Sequence, residues 1–180
     1  MLLKYYSVLQ ESRLKVGVID LVKRCNYEFI PPLSCRRDIQ EKNLSQGTSF
    51  FDENIESYLN SLFEQSFIVA LENEKVVGFM SFRENYIPAE IKAENMLWYN
   101  FCYVSTIIVD REYRKHGLAT QFYHELFKLF DLITTRTWSI NYGHLNILQK
   151  LDFKLVKRIS NDRGENIDTV YFLKNVKLGY

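Results

Sequence analysis

The chain is poor in the residues that mark several specialised protein classes. Its 180 residues include 7 glycines, 3 prolines and 3 cysteines. These are too few for a low-complexity chain, a collagen-like repeat or a disulfide-rich scaffold. Cys25, Cys35 and Cys102 are odd in number and lack the spacing of metal ligands. We therefore expect reduced cysteines in a cytosolic protein, and no metal site.

Excess charge and long apolar runs are also absent. The formal net charge is +1, which argues against a broad electrostatic surface for nucleic acid. No apolar run approaches the roughly 20 residues that cross a bilayer, and the first residues lack the layout of a secretory signal peptide. These absences predict a cytoplasmic protein that binds neither nucleic acid nor membrane.

The pattern of apolar residues predicts one mixed α/β domain over residues 1–180. Hydrophobic residues make up 47% of the chain, enough for a packed core. Apolar residues that recur every second residue indicate strands, and those that recur about every 3.6 residues indicate helices. The predicted strands are Tyr5–Leu9, Phe67–Leu71, Val76–Phe82, Tyr99–Val109, Leu132–Trp138, Phe153–Ile159 and Thr169–Lys174. The predicted helices are Ser12–Tyr27, one capped by Asp52, Gly117–Phe130 and Tyr142–Leu151.

The most informative segment is the β-branched run that ends at Val109 and its charged turn. The turn closes on Arg114, Gly117 and Ala119, and an amphipathic helix follows. A glycine-containing loop that opens a helix presents backbone N–H groups and the positive end of the helix dipole, which suit a phosphate or pyrophosphate. The loop lacks the residues of a P-loop and of a dinucleotide-binding loop.

This Arg-x-x-Gly-x-Ala turn resembles the coenzyme A signature of the GNAT family of N-acetyltransferases. A second family motif also has a counterpart here, since Asn141, Lys150 and Phe153 match it. Three positions depart from that second motif, namely His144 for alanine, Leu148 for tyrosine and Asp152 for glycine. The order of the predicted elements is that of the family over almost the whole chain.

The resemblance implies a mixed, mostly antiparallel central sheet flanked by helices. It also implies acetyl-CoA as cofactor, a small-molecule or protein amine as acceptor, and direct attack of the amine in a ternary complex, and it leaves a homodimer open. By the same resemblance, the long strand splays from the next one and offers backbone groups to the cofactor, with the Ile107 N–H facing the thioester oxygen. The implied cofactor-binding residues are Ile107, Ile108, Val109, Arg114, Lys115, His116, Gly117, Leu118, Ala119, Thr120 and Asn141.

The catalytic residues are harder to assign. In many relatives a tyrosine at the Leu148 position protonates the leaving thiolate, and leucine cannot do so. His144 lies on the same helical face at i, i+4 spacing and has a suitable ordinary pKa, so it is the candidate acid. Tyr103, Ser105 and Ile107 are predicted to share one face of the long strand, because side chains alternate along it. Ser105 or Tyr103 could carry a water relay for the general base, and Glu84 is the best-placed carboxylate.

The acceptor itself stays open at this stage. By resemblance, residues 31–49 and 160–168 wall the acceptor site, and Arg36 and Arg37 could grip a carboxylate or phosphate. A solvated basic loop explains this arginine pair as well. Two functions remain, an acetyl-CoA-dependent N-acetyltransferase and a catalytically silent acyl-CoA-binding sensor or scaffold. The missing tyrosine keeps the second one open.

Overall fold

The computed structural model of the chain describes residues 1–36, 55–91 and 99–177. These residues form seven strands and four α-helices. The strands are β1 (Leu2–Tyr6), β2 (Ser66–Glu72), β3 (Lys75–Glu84), β4 (Phe101–Val109), β5 (Leu132–Trp138), β6 (Lys154–Ile159) and β7 (Thr169–Asn175). The helices are α1 (Ser12–Cys25), α2 (Ile55–Phe63), α3 (Leu118–Phe127) and α4 (Tyr142–Lys150).

Most predicted elements are found within a few residues of their predicted ends, and the first strand is the main exception. It was predicted over Tyr5–Leu9, but β1 ends at Tyr6. Leu9 is fully buried in the turn that follows, and periodicity cannot distinguish such an anchor from a strand residue. The predicted cap Asp52 lies outside the described residues.

The strands form one sheet in the order β1-β2-β3-β4-β5-β7-β6. β4 pairs with β5 in parallel, and the other neighbouring pairs are antiparallel. Buried side chains of α1 and α2 pack on one face of the sheet, and those of α3 and α4 pack on the other. The mixed, mostly antiparallel sheet flanked by helices is therefore confirmed. No helix in the described part of the chain is long and apolar enough to cross a membrane.

The parallel pair β4–β5 ends halfway along β4. The paired residues run from Phe101 opposite Leu132 to Val104 opposite Thr135, whereas β4 stays paired with β3 as far as Val109. The remainder of β4 therefore has an open edge on the side of β5. This gap is the structural feature on which the site depends.

A β-bulge lies where the gap opens. Ser81 of β3 faces Thr106 and Phe82 faces Val104, so Ser105 is the extra residue. The bulge breaks the alternation of side chains. Ile107 consequently packs with the α3–α4 core, while Thr106 bonds to the Tyr58 hydroxyl of α2 at 2.7 Å. The prediction that Ile107 shares a face with Tyr103 and Ser105 is therefore wrong.

A glycine lets α1 approach the sheet closely. A Cβ built on Gly17 would lie 2.6 Å from Cγ2 and 2.8 Å from Cβ of Val76, the second residue of β3. Val76 is β-branched and 5% exposed, so it has little freedom to move aside. The distance between α1 and β3 therefore requires glycine at this position.

We expect Gly17→Ala to lower the free energy of unfolding by about 1–3 kcal/mol through overpacking. This loss opposes the gain of about 1 kcal/mol that alanine normally gives in a helix. The double variant with Val76→Ala should destabilise less than the sum of the single variants, as measured by urea unfolding. Gly143→Ala is the control, because a Cβ there meets its nearest atom only at 3.9 Å. Unchanged stability of Gly17→Ala would contradict the close contact.

Candidate active site

A cavity of about 610 Å³ opens where β4 and β5 part. Its walls come from β4, from the loop before α3, from the start of α4, from the segment after α1 and from the loop between β6 and β7. Residues far apart in sequence therefore meet around one space. Ten predicted cofactor residues line it, namely Ile107, Ile108, Val109, Arg114, Lys115, Gly117, Leu118, Ala119, Thr120 and Asn141. The eleventh, His116, is exposed and is not among the lining residues.

The loop before α3 is a cradle of backbone donors. Gly117 precedes the helix with φ +78° and Lys115 has φ +65°, so both residues have the left-handed conformation that occurs in backbone anion nests. Within the described residues, no backbone acceptor bonds to the N–H groups of residues 115–120. A Cβ on Gly117 would meet nothing within 4 Å. This open, donor-rich cradle fits the pyrophosphate of a coenzyme A donor.

Ion pairs hold this loop against the end of α1. Arg24 of α1 lies 2.9 Å from the buried Asp110 carboxylate. Burial alone would raise the pKa of Asp110, but Arg24 and the Glu112 N–H outweigh it and lower that pKa. The Arg114 guanidinium donates to the Val109 carbonyl at 2.9 Å and pairs with Glu28 at 2.8 Å. The side chain of Arg114 therefore positions the loop and has partners within the chain.

The open edge of β4 presents two N–H groups. Asp110 donates its N–H to Val77 of β3 at 2.9 Å. Peptide groups alternate between the two edges of a strand, so the N–H groups of Val109 and Ile107 point away from β3 and toward the gap. A bound arm can add to this edge like a further strand.

His144 lines the cavity from the first turn of α4. Its Nε2 lies 2.8 Å from the hydroxyl of Tyr123 on α3, and the two rings stack. Burial lowers the pKa of His144 to about 4 and raises the pKa of Tyr123. Both side chains are therefore neutral at pH 7, and the ring holds one proton rather than two.

Leu148 packs in the core, and Asn141 is the N-cap that an asparagine before a helix can supply. Leu148 is fully buried in the α3–α4 core beside Phe153 and is not among the cavity-lining residues. Asn141 caps α4, because its side-chain oxygen accepts the His144 N–H at 3.3 Å. Its side-chain nitrogen donates to Thr137 Oγ1 at 3.0 Å. Asn141 therefore fixes the helix start that carries His144 into the cavity.

The candidates for the general base are not brought together. Ser105 lines the cavity at the bulge, where its hydroxyl donates to the Gln65 side chain and lies 3.1 Å from Ser81 Oγ. Tyr103 is buried against the ring of Tyr86 and is not a lining residue.

Glu84, the predicted carboxylate, also lies away from the cavity. It stands at the far end of β3, opposite Cys102, and accepts hydrogen bonds from Tyr5 and Ser66 at 2.7 Å each. Among the described residues, Glu28 is the single lining carboxylate, and two arginines already pair with it.

One wall of the cavity alternates guanidinium groups with aromatic rings. The guanidinium of Arg36 lies 5.5 Å from the centre of the Phe29 ring. The centres of the Phe29 and Trp138 rings are 5.8 Å apart. The guanidinium of Arg163 lies 5.6 Å from the centre of the Trp138 ring. Arg136 lines the same cavity from β5. We call these five residues the arginine–aromatic wall. Arg36 was predicted to bind the acceptor, and its predicted partner Arg37 lies outside the described residues.

Sequence reasoning missed Phe29, Arg136 and Trp138 as site residues, whereas Arg163 lies in the segment 160–168 that the resemblance placed at the acceptor site. Arg136 and Trp138 are two positions apart on β5 and therefore share a face of the sheet. That spacing was a signal, since arginine is rare on a buried strand. Phe29 had no comparable signal, because it becomes a lining residue only through the fold.

Comparison with known proteins agrees with this geometry. Residues 34–139, more than half of the chain, match the model of the acetyltransferase (GNAT) family. A search of curated protein sequences found no match.

Solved structures of similar fold include the aminoglycoside 6'-N-acetyltransferase from Enterococcus faecium, with a TM-score of 0.66, 14% identity, and 98% of this chain and 97% of that chain covered. An aminoglycoside 6'-N-acetyltransferase complexed with coenzyme A has a TM-score of 0.66 and 15% identity. The match covers 98% of this chain and 97% of that chain. A chain of the NatC complex bound to Gag peptide and coenzyme A has a TM-score of 0.58 and 15% identity. The match covers 97% of this chain and 99% of that chain. The chain therefore belongs to the acetyltransferase (GNAT) family and is an N-acetyltransferase that uses acetyl-CoA.

Proposed function

We propose that this protein transfers an acetyl group from acetyl-CoA to a primary amine of a small molecule or protein, by direct attack of the amine in a ternary complex. The observation that carries the proposal is the parting of β4 from β5 beyond Val104, next to the donor-rich loop before α3. An extended thioester arm fits this gap, and a pyrophosphate fits the loop. When bound, acetyl-CoA supplies an activated acyl group.

Backbone donors do most of the binding in this proposal. The N–H groups of residues 115–120 and the start of α3 hold the pyrophosphate. The N–H of Val109 holds the arm, and the N–H of Ile107 faces the thioester oxygen, where negative charge develops during attack. The side chains of Arg114 and Lys115 add positive charge to the same end of the cavity.

Ser105 is the proposed contact for the attacking amine. An alkyl ammonium has a pKa near 10.4, so the amine must lose a proton before it attacks. Because the Ser105 hydroxyl donates to Gln65, its oxygen keeps acceptor capacity toward the cavity. We assign it the role of accepting a hydrogen bond from the amine while water removes the proton.

His144 is the proposed donor to the leaving sulfur. Since its pKa lies near 4, it is a neutral donor and not an imidazolium acid at pH 7. Leu148 has no part in this step, because it is buried in the core. The enzyme therefore relies on positioning and hydrogen bonding more than on a strong acid.

A thiol-release assay with acetyl-CoA and a panel of primary amines, read by mass spectrometry of the acetylated product, tests the function. We expect one acetyl group per amine and thiol release that depends on the amine. Binding of acetyl-CoA without thiol release for any amine would instead indicate the silent acyl-CoA-binding module.

We expect Gly117→Glu to weaken acetyl-CoA binding by at least about 10-fold, since 1.4 kcal/mol corresponds to that factor. The new carboxylate would face the pyrophosphate, and φ +78° disfavours a side chain. Calorimetry with acetyl-CoA measures the effect. Gly164→Glu is the matched control, because Gly164 also has a positive φ, +128°, and an open Cβ position. Equal affinity of both variants and the wild type would refute the cradle assignment.

The pKa of His144 predicts how stability depends on pH. The unfolded chain binds a proton at His144 below about pH 6.5, and the folded protein does so only near pH 4. Stability should therefore fall as pH drops through this window, by up to about 1.4 kcal/mol per pH unit from this group. Urea unfolding of the wild type and of His144→Gln across pH 4 to 7 should show a shallower slope for the variant. Above about pH 7 the two proteins should have equal slopes, because neither the folded nor the unfolded state then binds a proton at His144.

The same residue should affect turnover more than binding. A hydrogen bond to a charged group contributes about 1.5–3 kcal/mol, so His144→Ala should lower kcat by roughly 10- to 100-fold. The KM for acetyl-CoA should change little, and the kcat profile should show no pKa near 6.5 from this group. An unchanged kcat with a good acceptor would leave His144 as a packing residue beside Tyr123.

A further inference from the structure

Tyr123 is a fully buried tyrosine of α3 that bonds to the histidine of the cavity wall. Its hydroxyl oxygen lies 2.8 Å from Nε2 of His144, in the first turn of α4. The two rings are stacked, with their centres 6.1 Å apart and their planes 18° apart. This hydrogen bond therefore couples the core around α3 to a side chain that lines the cavity.

Packing holds the Tyr123 ring in place independently of its hydroxyl. The ring meets that of Phe153 edge-on, with centres 5.1 Å apart, and its centre lies 6.4 Å from that of the Phe127 ring. Aromatic pairs of this kind stabilise ring positions beyond the burial of apolar area. A phenylalanine at position 123 would therefore keep these ring contacts and remove only the hydroxyl.

The other ring nitrogen of His144, Nδ1, is open to the cavity. Among the described residues, no group forms a hydrogen bond with Nδ1. In that part of the chain every buried side-chain nitrogen or oxygen has a hydrogen-bond partner, so Nδ1 is not buried. Because His144 is a lining residue, we place Nδ1 at the cavity, where a bound molecule can reach it.

The chemistry of the two groups sets the direction of the hydrogen bond. A neutral imidazole has one nitrogen that donates and one that accepts. A bare imidazole nitrogen binds a proton near pH 6.5, whereas a phenol O–H gives up its proton near pH 10 and its neutral oxygen is scarcely basic. The Tyr123 hydroxyl therefore donates to Nε2 of His144 rather than accepting from it.

A threonine beside the pair does not reverse this direction. The Thr135 hydroxyl lies near that of Tyr123 and donates its own proton to the Val104 carbonyl at 3.1 Å. Its oxygen is thus a second acceptor for the Tyr123 proton. An alcohol oxygen is much less basic than an imidazole nitrogen, so the Tyr123 proton goes to His144.

We infer that Tyr123 is a positioning residue for acetyl transfer: its hydroxyl donates to Nε2 of His144 and so holds the single ring proton on Nδ1, at the cavity. In a neutral histidine, the hydrogen bond made by one ring nitrogen decides whether the other carries the proton. This inference rests on the proposed function, in which His144 donates to the leaving sulfur. Tyr123 acts through His144, since Tyr123 is not among the lining residues.

NMR of the protein labelled with ¹⁵N-histidine tests the position of the proton without any turnover. The chain has three histidines, so the His144 signals are those that disappear in His144→Gln. At about pH 8, where histidines are neutral, we expect the wild type to show a protonated Nδ1 and a bare Nε2. Tyr123→Phe should gain a population with the proton on Nε2, because no hydroxyl then donates to that nitrogen. A protonated Nε2 in the wild type, or the same tautomer in both proteins, would overturn the inference.

Steady-state kinetics test whether this proton placement matters for transfer. Loss of one hydrogen bond should lower kcat of Tyr123→Phe by roughly 3- to 10-fold and leave the KM for acetyl-CoA within about twofold. In the His144→Ala background the same substitution should change kcat by less than about twofold, because its effect passes through His144. An unchanged kcat of Tyr123→Phe, or an equal loss in both backgrounds, would contradict the positioning role.

Tyr5→Phe is the matched control, because it also removes a tyrosine hydroxyl that donates at 2.7 Å, to Glu84 and away from the cavity. This variant should keep the wild-type kcat and the wild-type His144 signals. Thermal melts show that each variant is folded at the assay temperature. If the wild type releases no thiol with any amine, the proposed function fails, whereas the NMR spectra still decide where the ring proton of His144 lies.

Discussion

The early end of the β4–β5 pairing is the constraint on which the site depends. A strand edge inside a folded core leaves N–H and C=O groups that must find partners. The protein satisfies the last paired carbonyls with threonine hydroxyls, as Thr134 donates to Cys102 and Thr135 to Val104 at 3.3 and 3.1 Å. The next threonine of β5, Thr137, accepts a hydrogen bond from Asn141 instead, and beyond Val104 the open edge of β4 is where a donor arm can bind. The bulge at Ser105 turns the strand at the same point.

Features that depend on residues close together in the chain could be predicted from the sequence. The cradle before α3 follows from Gly117, the charged turn and the amphipathic helix, all within one short segment. The bounds of β5 were predicted exactly as they occur, because its β-branched run is closed by turn residues on both sides. Such features depend on neighbours in sequence, where propensity and periodicity act directly.

Features that depend on tertiary contacts could not be predicted from the sequence. The bulge at Ser105 is set by the register between β3 and β4, so side-chain alternation alone placed Ile107 on the wrong face. The burial of Leu148 and the low pKa of His144 both arise from packing against α3. Phe29 and Arg136 are separated by more than one hundred residues, and only the fold brings both to the cavity.

The two ends of the cavity carry different kinds of positive charge, and these respond differently to substitution. At the donor end the partners are backbone N–H groups and a helix dipole, which almost any substitution leaves in place. At the other end they are side chains on the segment after α1, on β5 and on the loop between β6 and β7. A single substitution there changes the sign or shape of the surface without disturbing the sheet. The fold therefore keeps the loop before α3 and the open edge of β4 in place, while the side chains on these three segments can vary.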